Sequence, residues 1–95
     1  MSSVIGYLEI EVQIPHAHSL KEKRAVVKRI TERLKGKFNV SVSEIGEQDK
    51  WQRSRIAIVT VGTSPKVVDA TLEKSVKFVE EIFPGFVTGY RKELL

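Results

Sequence analysis

The hydrophobic period of this chain changes from two to about 3.6 and back, twice, and each change is marked by its own punctuation. Residues 4–14 alternate, with Val4, Gly6, Leu8, Ile10, Val12 and Ile14 on one side and Ile5, Tyr7, Glu9, Glu11 and Gln13 on the other, as a half-buried strand requires. Pro15 ends the strand. Ser19 and Glu22, three apart, form a capping box that opens a helix, predicted to run to about Lys35 with Gly36 as its stop. Alternation returns in FNVSVSEI, where Phe38, Val40 and Val42 oppose Asn39, Ser41 and Ser43. After the polar loop GEQDK it resumes in WQRSRIAIVTVG, so these two segments read as a hairpin. Ser64 and Pro65 supply an N-cap and a first-turn proline for a second helix. Its Val68, Leu72, Val76, Val79 and Phe83 recur at helical spacing until Pro84 and Gly85, and FVTGYRKEL forms a last strand.

The element order is therefore β-α-β-β-α-β. No linker or repeat interrupts it, and 95 residues make a single domain, residues 1–95. This order is the ferredoxin-like split β-α-β arrangement, an α+β fold with a four-stranded antiparallel sheet and two helices on one face. The topology sets the first and third strands side by side and antiparallel. Ile5 and Tyr7 then fall near Val61 and Val59, and Glu11 and Gln13 near Arg55 and Arg53, so apolar meets apolar and acid meets base. The apolar half of that face, Ile5, Tyr7, Val59 and Val61, lies uncovered in a monomer and is a candidate homodimer or partner interface.

Two blocks, IPHAHSLKEKR and FNVSVSEIGEQDKWQR, carry the pattern PxxxSLKxKR followed by FNVSVxExxxQDxWQR. On these the sequence resembles the YlxP-like family of small bacterial proteins, a domain of unknown function, across essentially all of residues 4–95. The resemblance implies a ferredoxin-like fold. Through the family's usual genetic association with translation and ribosome-maturation genes, it also implies a role near RNA. It brings no biochemical activity with it.

Charge is the feature that the fold leaves unexplained. Residues 19–37 hold eight Lys or Arg against two Glu, an excess of +6 in a chain whose net charge is +4, so the remainder is acidic. On a helical wheel, Leu20, Val27, Ile30 and Leu34 make the buried stripe, with Val26 at its edge. Lys21, Arg24, Lys28 and Lys35 line one flank without an intervening acid, and Arg29, Arg33 and Lys37 form a second row beside Glu22. The first row suits a nucleic-acid backbone, because each neutralised phosphate releases counterions. Such a row also serves as an ordinary solvated helix face. Lys23 falls at the margin of the stripe in the first turn, where a cation opposes the helix dipole. Either an anion binds there, or Lys23 pairs with an acid such as Glu44 or Glu93.

The loop GEQDKWQR gathers Gln48, Asp49, Trp51, Gln52 and Arg53. An exposed Trp51 can stack on a base or anchor a partner. Burial over the end of the core, with Arg53 paired to Asp49, is the commoner fate of a lone tryptophan. The candidate nucleic-acid residues are therefore Lys21, Lys23, Arg24, Lys28, Lys35, Gln48, Trp51 and Arg53.

Enzymatic readings find little support. His16 and His18 have no third ligand nearby and there is no cysteine, so neither a metal nor another cofactor is expected. The first loop contains no glycine with which to cradle an acyl phosphate as acylphosphatases do. No GxSxG or Walker loop is present. Base reading on the sheet, as in an RNA-recognition motif, needs aromatic residues on the central strands, and only Tyr7 is there. No apolar run approaches the ~20 residues of a membrane span, and the N-terminus lacks the features of a signal peptide. The expectation is a soluble, cytoplasmic, RNA- or ribosome-related accessory factor without catalytic function. The alternative is a homodimeric protein-interaction module.

Overall fold

Alternation buries one side of each strand, and the two amphipathic helices have only that side on which to cover their stripes. A computed structural model describes residues 2–95, with β1 (Val4–Gln13), α1 (Leu20–Lys37), β2 (Ser41–Gly46), β3 (Arg53–Gly62), α2 (Pro65–Ile82) and β4 (Val87–Leu94). The sheet is antiparallel in the order β2-β3-β1-β4, and the fold is ferredoxin-like. The β1–β3 register pairs Ile5 with Val61, Tyr7 with Val59, Glu11 with Arg55 and Gln13 with Arg53. The expected match along these two strands is therefore observed.

The core lies between the sheet and the helices. Leu8, Ile10, Val12 and Ile14 of β1 and its extension, with Ile56 and Ile58 of β3, meet Ile30 and Leu34 of α1 and Leu72 and Val79 of α2. Helix α2 packs tightly on β1 at Gly6, where a Cβ would stand 2.5 Å from Val68 Cγ1. Glycine here is a packing requirement of the helix above it.

Ser19 caps α1 by accepting from the Glu22 amide at 3.1 Å, while the Glu22 carboxylate accepts from the His18 amide. Ser64 caps α2 by accepting from the Val67 amide at 3.4 Å, with Pro65 in the first turn. Three boundaries differ from the sequence reading by two residues or more. Helix α1 passes through Gly36 to Lys37, and the Phe38 amide donates to the Leu34 carbonyl at 2.9 Å. Its end is set by tertiary packing, since the Phe38 ring stands edge-on to Phe78 at 5.9 Å. That contact, together with Lys35 and Lys37 in the last turn, offsets the roughly 1 kcal/mol that an interior glycine costs. Strand β2 begins at Ser41 rather than Phe38. Strand β3 begins at Arg53 rather than Trp51, because Trp51 and Gln52 belong to the turn.

Candidate nucleic-acid interface

The flank of α1 that carries Lys21, Arg24, Lys28 and Lys35 is solvent-exposed at all four residues. At 1.5 Å per residue the row extends about 21 Å. Lys28 approaches Glu32 at 3.9 Å, one turn on, so the row is not wholly free of acid as its wheel implied. Both side chains of that pair are mostly exposed, where such a pair is worth only ~0.3–0.5 kcal/mol.

Lys23 leaves the candidate surface. Its side chain is 0% exposed, and its ammonium lies 3.0 Å from Glu44 Oε2. It also donates to the carbonyls of Glu47 at 2.7 Å, Gln48 at 3.1 Å and Arg53 at 3.2 Å. The Ser54 hydroxyl donates to the same Glu44 oxygen at 2.7 Å. The cation that opposes the helix dipole is thus satisfied by the β2–β3 hairpin, through Glu44, the first of the two acids its position had pointed to. A phosphate has no access to it. Parity along β2 carried the missing signal: after Phe38, Val40 and Val42, the next inward position is Glu44, and a carboxylate directed inward needs a cation.

The hairpin loop is held a second time. Gln52 Nε2 donates to the carbonyls of Pro15 at 3.3 Å and Ala17 at 3.1 Å, and the Ile14 amide donates to the Gln52 carbonyl at 2.9 Å. Glu47 sits at φ 61°, the left-handed region, which closes the turn whose carbonyls Lys23 collects. With its backbone tied down, the loop presents Trp51, 55% exposed, beside exposed Gln48 and Asp49. Burial of Trp51 over the core, the commoner fate, does not occur. Asp49 and Arg53 form no ion pair among the described residues. The Arg53 side chain instead borders a cleft of about 320 Å³ with Glu11, Gln13, Glu47, Arg55 and Thr88.

Two cations of the open sheet face, Arg55 and Arg91, are already engaged. Arg55 reaches Glu11 at 3.1 Å and Glu9 at 4.0 Å. Arg91 of β4 pairs with Glu9 and stacks over the Tyr7 ring at 5.7 Å. Glu9 meets Arg91 because β4 lies against β1 at that register. Burial and the neighbouring Glu9 carboxylate raise the Tyr7 phenol above its ordinary value. The other half of this face is apolar. Ile5, Val59 and Val61 are exposed, and Leu95, bonded to Ile5 through both backbone groups, extends the patch.

His16 and His18 remain loop residues, with the His16 ring 6.3 Å from that of Phe86. Among the described residues no group of three or more His, Cys, Asp or Glu converges as a metal site would need. No helix among them is long and apolar enough to cross a membrane.

Residues 5–91 match the profile of a family described as "Protein of unknown function (DUF503)". The chain belongs to the DUF503 family. A curated relative, "Uncharacterized protein YlxP" of Bacillus subtilis (strain 168), is 48% identical over 81 residues, 85% of this chain and 87% of the relative. Among solved structures, the de novo designed protein Foldit4 aligns over 99% of this chain and 97% of its own, with a TM-score of 0.58 and 14% identity. SnoaB of Streptomyces nogalater, titled a cofactor-independent oxygenase, aligns over 100% and 92%, with a TM-score of 0.51 and 16% identity. At such identities these likenesses speak for the fold alone. In this DUF503 chain the two sequence blocks that carry the family resemblance meet in space, since Pro15 and Lys23 of the first bond Glu44, Gln48, Gln52 and Arg53 of the second. Much of that pattern therefore builds the joint between α1 and the hairpin.

Proposed function

We propose that this protein is a nucleic-acid-associated accessory factor that engages the phosphate backbone of structured RNA through α1 and the adjoining hairpin loop. The supporting observation is how its cations are used. Arg55 and Arg91 on the sheet are matched by Glu9 and Glu11, and Lys23 is consumed internally. Lys21, Arg24 and Lys35 are exposed and, among the described residues, have no carboxylate within 4.0 Å. The reading carries with it a cytoplasmic, ribosome-related setting and no catalytic step. Trp51, Gln48 and Arg53 would add a stacking surface and polar contacts at the end of the row.

Four phosphate contacts correspond to a log–log salt slope of about −3 to −4. Fluorescence anisotropy with a labelled duplex RNA, begun near 50 mM salt, should show that slope. Substituting Ala at Lys21, Arg24, Lys28 and Lys35 together should flatten it. Unchanged binding by that variant, or no binding by the parent protein, removes the proposal.

The exposed patch of Ile5, Val59, Val61 and Leu95 favours a second reading, a homodimeric interaction module joined through the open sheet face. Under that reading light scattering at high micromolar concentration gives twice the monomer mass, and Val61→Lys restores the monomer. A monomeric parent protein eliminates it.

A further inference from the structure

The second basic row of α1, Arg29, Arg33 and Lys37, is exposed and leans toward aromatic rings at the α2 side. Arg29 lies over the Phe83 ring at 5.9 Å, Arg33 over Phe78 at 5.7 Å and Lys37 over the same ring at 4.9 Å. Across the groove stand Lys74 and Lys77 of α2, both exposed. With Lys37, Phe38, Phe78 and Glu81 they border a cleft of about 220 Å³.

The acids of α2 are disposed the other way. Asp69 and Glu73 face β4, where Lys92 reaches them at 2.7 and 3.3 Å and the Tyr90 hydroxyl donates to Glu73 at 3.2 Å. Glu80 accepts from the Gly85 amide. Helix α2 thus spends two of its four acids against the last strand and a third on the turn before it, while Lys74 and Lys77 line the side toward α1. Five cations converge on the groove, with Glu81 and Glu22 the acids on the same side. None of the five has a carboxylate within 4.0 Å among the described residues.

We propose that the α1–α2 groove is a second phosphate-binding surface of the same RNA-binding protein, separate from the outer row Lys21, Arg24, Lys28 and Lys35. This rests on the RNA reading above. Three of its cations are held over aromatic rings, so less side-chain freedom is lost when a phosphate arrives than with free lysines. Arg29 to Lys37 spans about 12 Å, enough for several consecutive phosphates of one strand. Phe78 is buried beneath Arg33 and Lys37 and has no open ring face for a base. Recognition in the groove is therefore of the backbone and indifferent to sequence.

The test uses the whole chain and two fluorescein-labelled 16-base-pair RNA duplexes of unrelated sequence, by anisotropy from 50 to 200 mM salt. The groove variant Lys37→Ala/Lys74→Ala/Lys77→Ala should lose at least ~10-fold in affinity at 50 mM salt and reduce the magnitude of the slope by about 2–3, equally for both duplexes. The pair Lys74→Ala/Lys77→Ala, neither of which sits over a ring, should show about two thirds of the slope change and so separates charge from packing. Groove variants that bind like the parent overturn the proposal, and if the outer-row variant then fails to bind, the first reading stands alone. Loss in the groove variants with an outer-row variant that binds normally supports the groove and removes the outer row. A parent protein that binds neither duplex overturns both.

Discussion

Replacing Lys23 by Met tests the joint between α1 and the hairpin, because it keeps most of the stem's volume and deletes the ammonium. In the parent, that ammonium serves Glu44 and the carbonyls of Glu47, Gln48 and Arg53. Its removal leaves a carboxylate with 16% side-chain exposure held only by Ser54, and three hairpin carbonyls without their ammonium donor. Removing one member of a buried pair costs roughly 3–5 kcal/mol. The residual exposure of Glu44 and its Ser54 bond place this site at the lower end, about 3 kcal/mol. A domain of this length has roughly 5–14 kcal/mol in total, so the loss is a substantial share of it. At about 4–8 °C per kcal/mol the midpoint should fall by ~12–24 °C. Urea unfolding followed by circular dichroism measures the loss, and amide exchange should quicken first at residues 47–52, whose backbone the ammonium holds. Adding Glu44→Leu to Lys23→Met should recover part of the stability, because the lone buried carboxylate is then gone. A loss below ~1 kcal/mol for Lys23→Met, with loop exchange unchanged, would refute the assignment of Lys23 as an internal staple.

Gly6→Ala should cost about 1–3 kcal/mol in urea unfolding, since its Cβ would stand 2.5 Å from Val68 Cγ1 and 3.0 Å from Leu72 Cδ1; a neutral result would mean that α2 slides freely over β1. Trp51→Ala should stay within ~1 kcal/mol of the parent, and the parent's emission should be red-shifted and readily quenched by iodide, because the indole is mostly exposed. Lys92 is raised above its ordinary value chiefly by its hydrogen bond to Asp69, with Glu73 assisting and partial desolvation opposing. A cation with a raised folded value stabilises fully below its unfolded value and loses that contribution as pH rises through the folded one. Unfolding titrations at alkaline pH should therefore show a decline that is smaller in Lys92→Met, and identical declines in the two proteins would exclude this pair as a contributor.

Several features were legible in residue order alone because they depend on local periodicity. Strand alternation, the Ser19 and Ser64 caps and the first-turn Pro65 specify six elements, and the parity of β1 and β3 places Glu11 beside Arg55 and Tyr7 beside Val59 once the topology is known. Element ends were less legible where packing sets them. The stop expected at Gly36 moved to Phe38, because glycine weakens a helix by about 1 kcal/mol and the contact of Phe38 with Phe78 outweighs that.

The candidate site divides along the same line. That the charge of α1 is concentrated, and which residues share a flank, follow from composition and the helical repeat. Where each cation's partner lies does not, since Lys23 meets carbonyls 24 to 30 residues away, Arg91 meets Glu9 across the sheet, and Arg33 and Lys37 share a ring on α2. A charge carries no preferred direction along the chain. Its partner is chosen by which elements pack together and how far each is buried, because the cost of stripping water from an ion is incurred only inside the fold. The sequence by itself determined the elements, their order and the outward faces of the strands. Tertiary structure alone decided that Lys23 is sealed inside, that Trp51 is held out, and that the second row of α1 opens onto the lysines of α2.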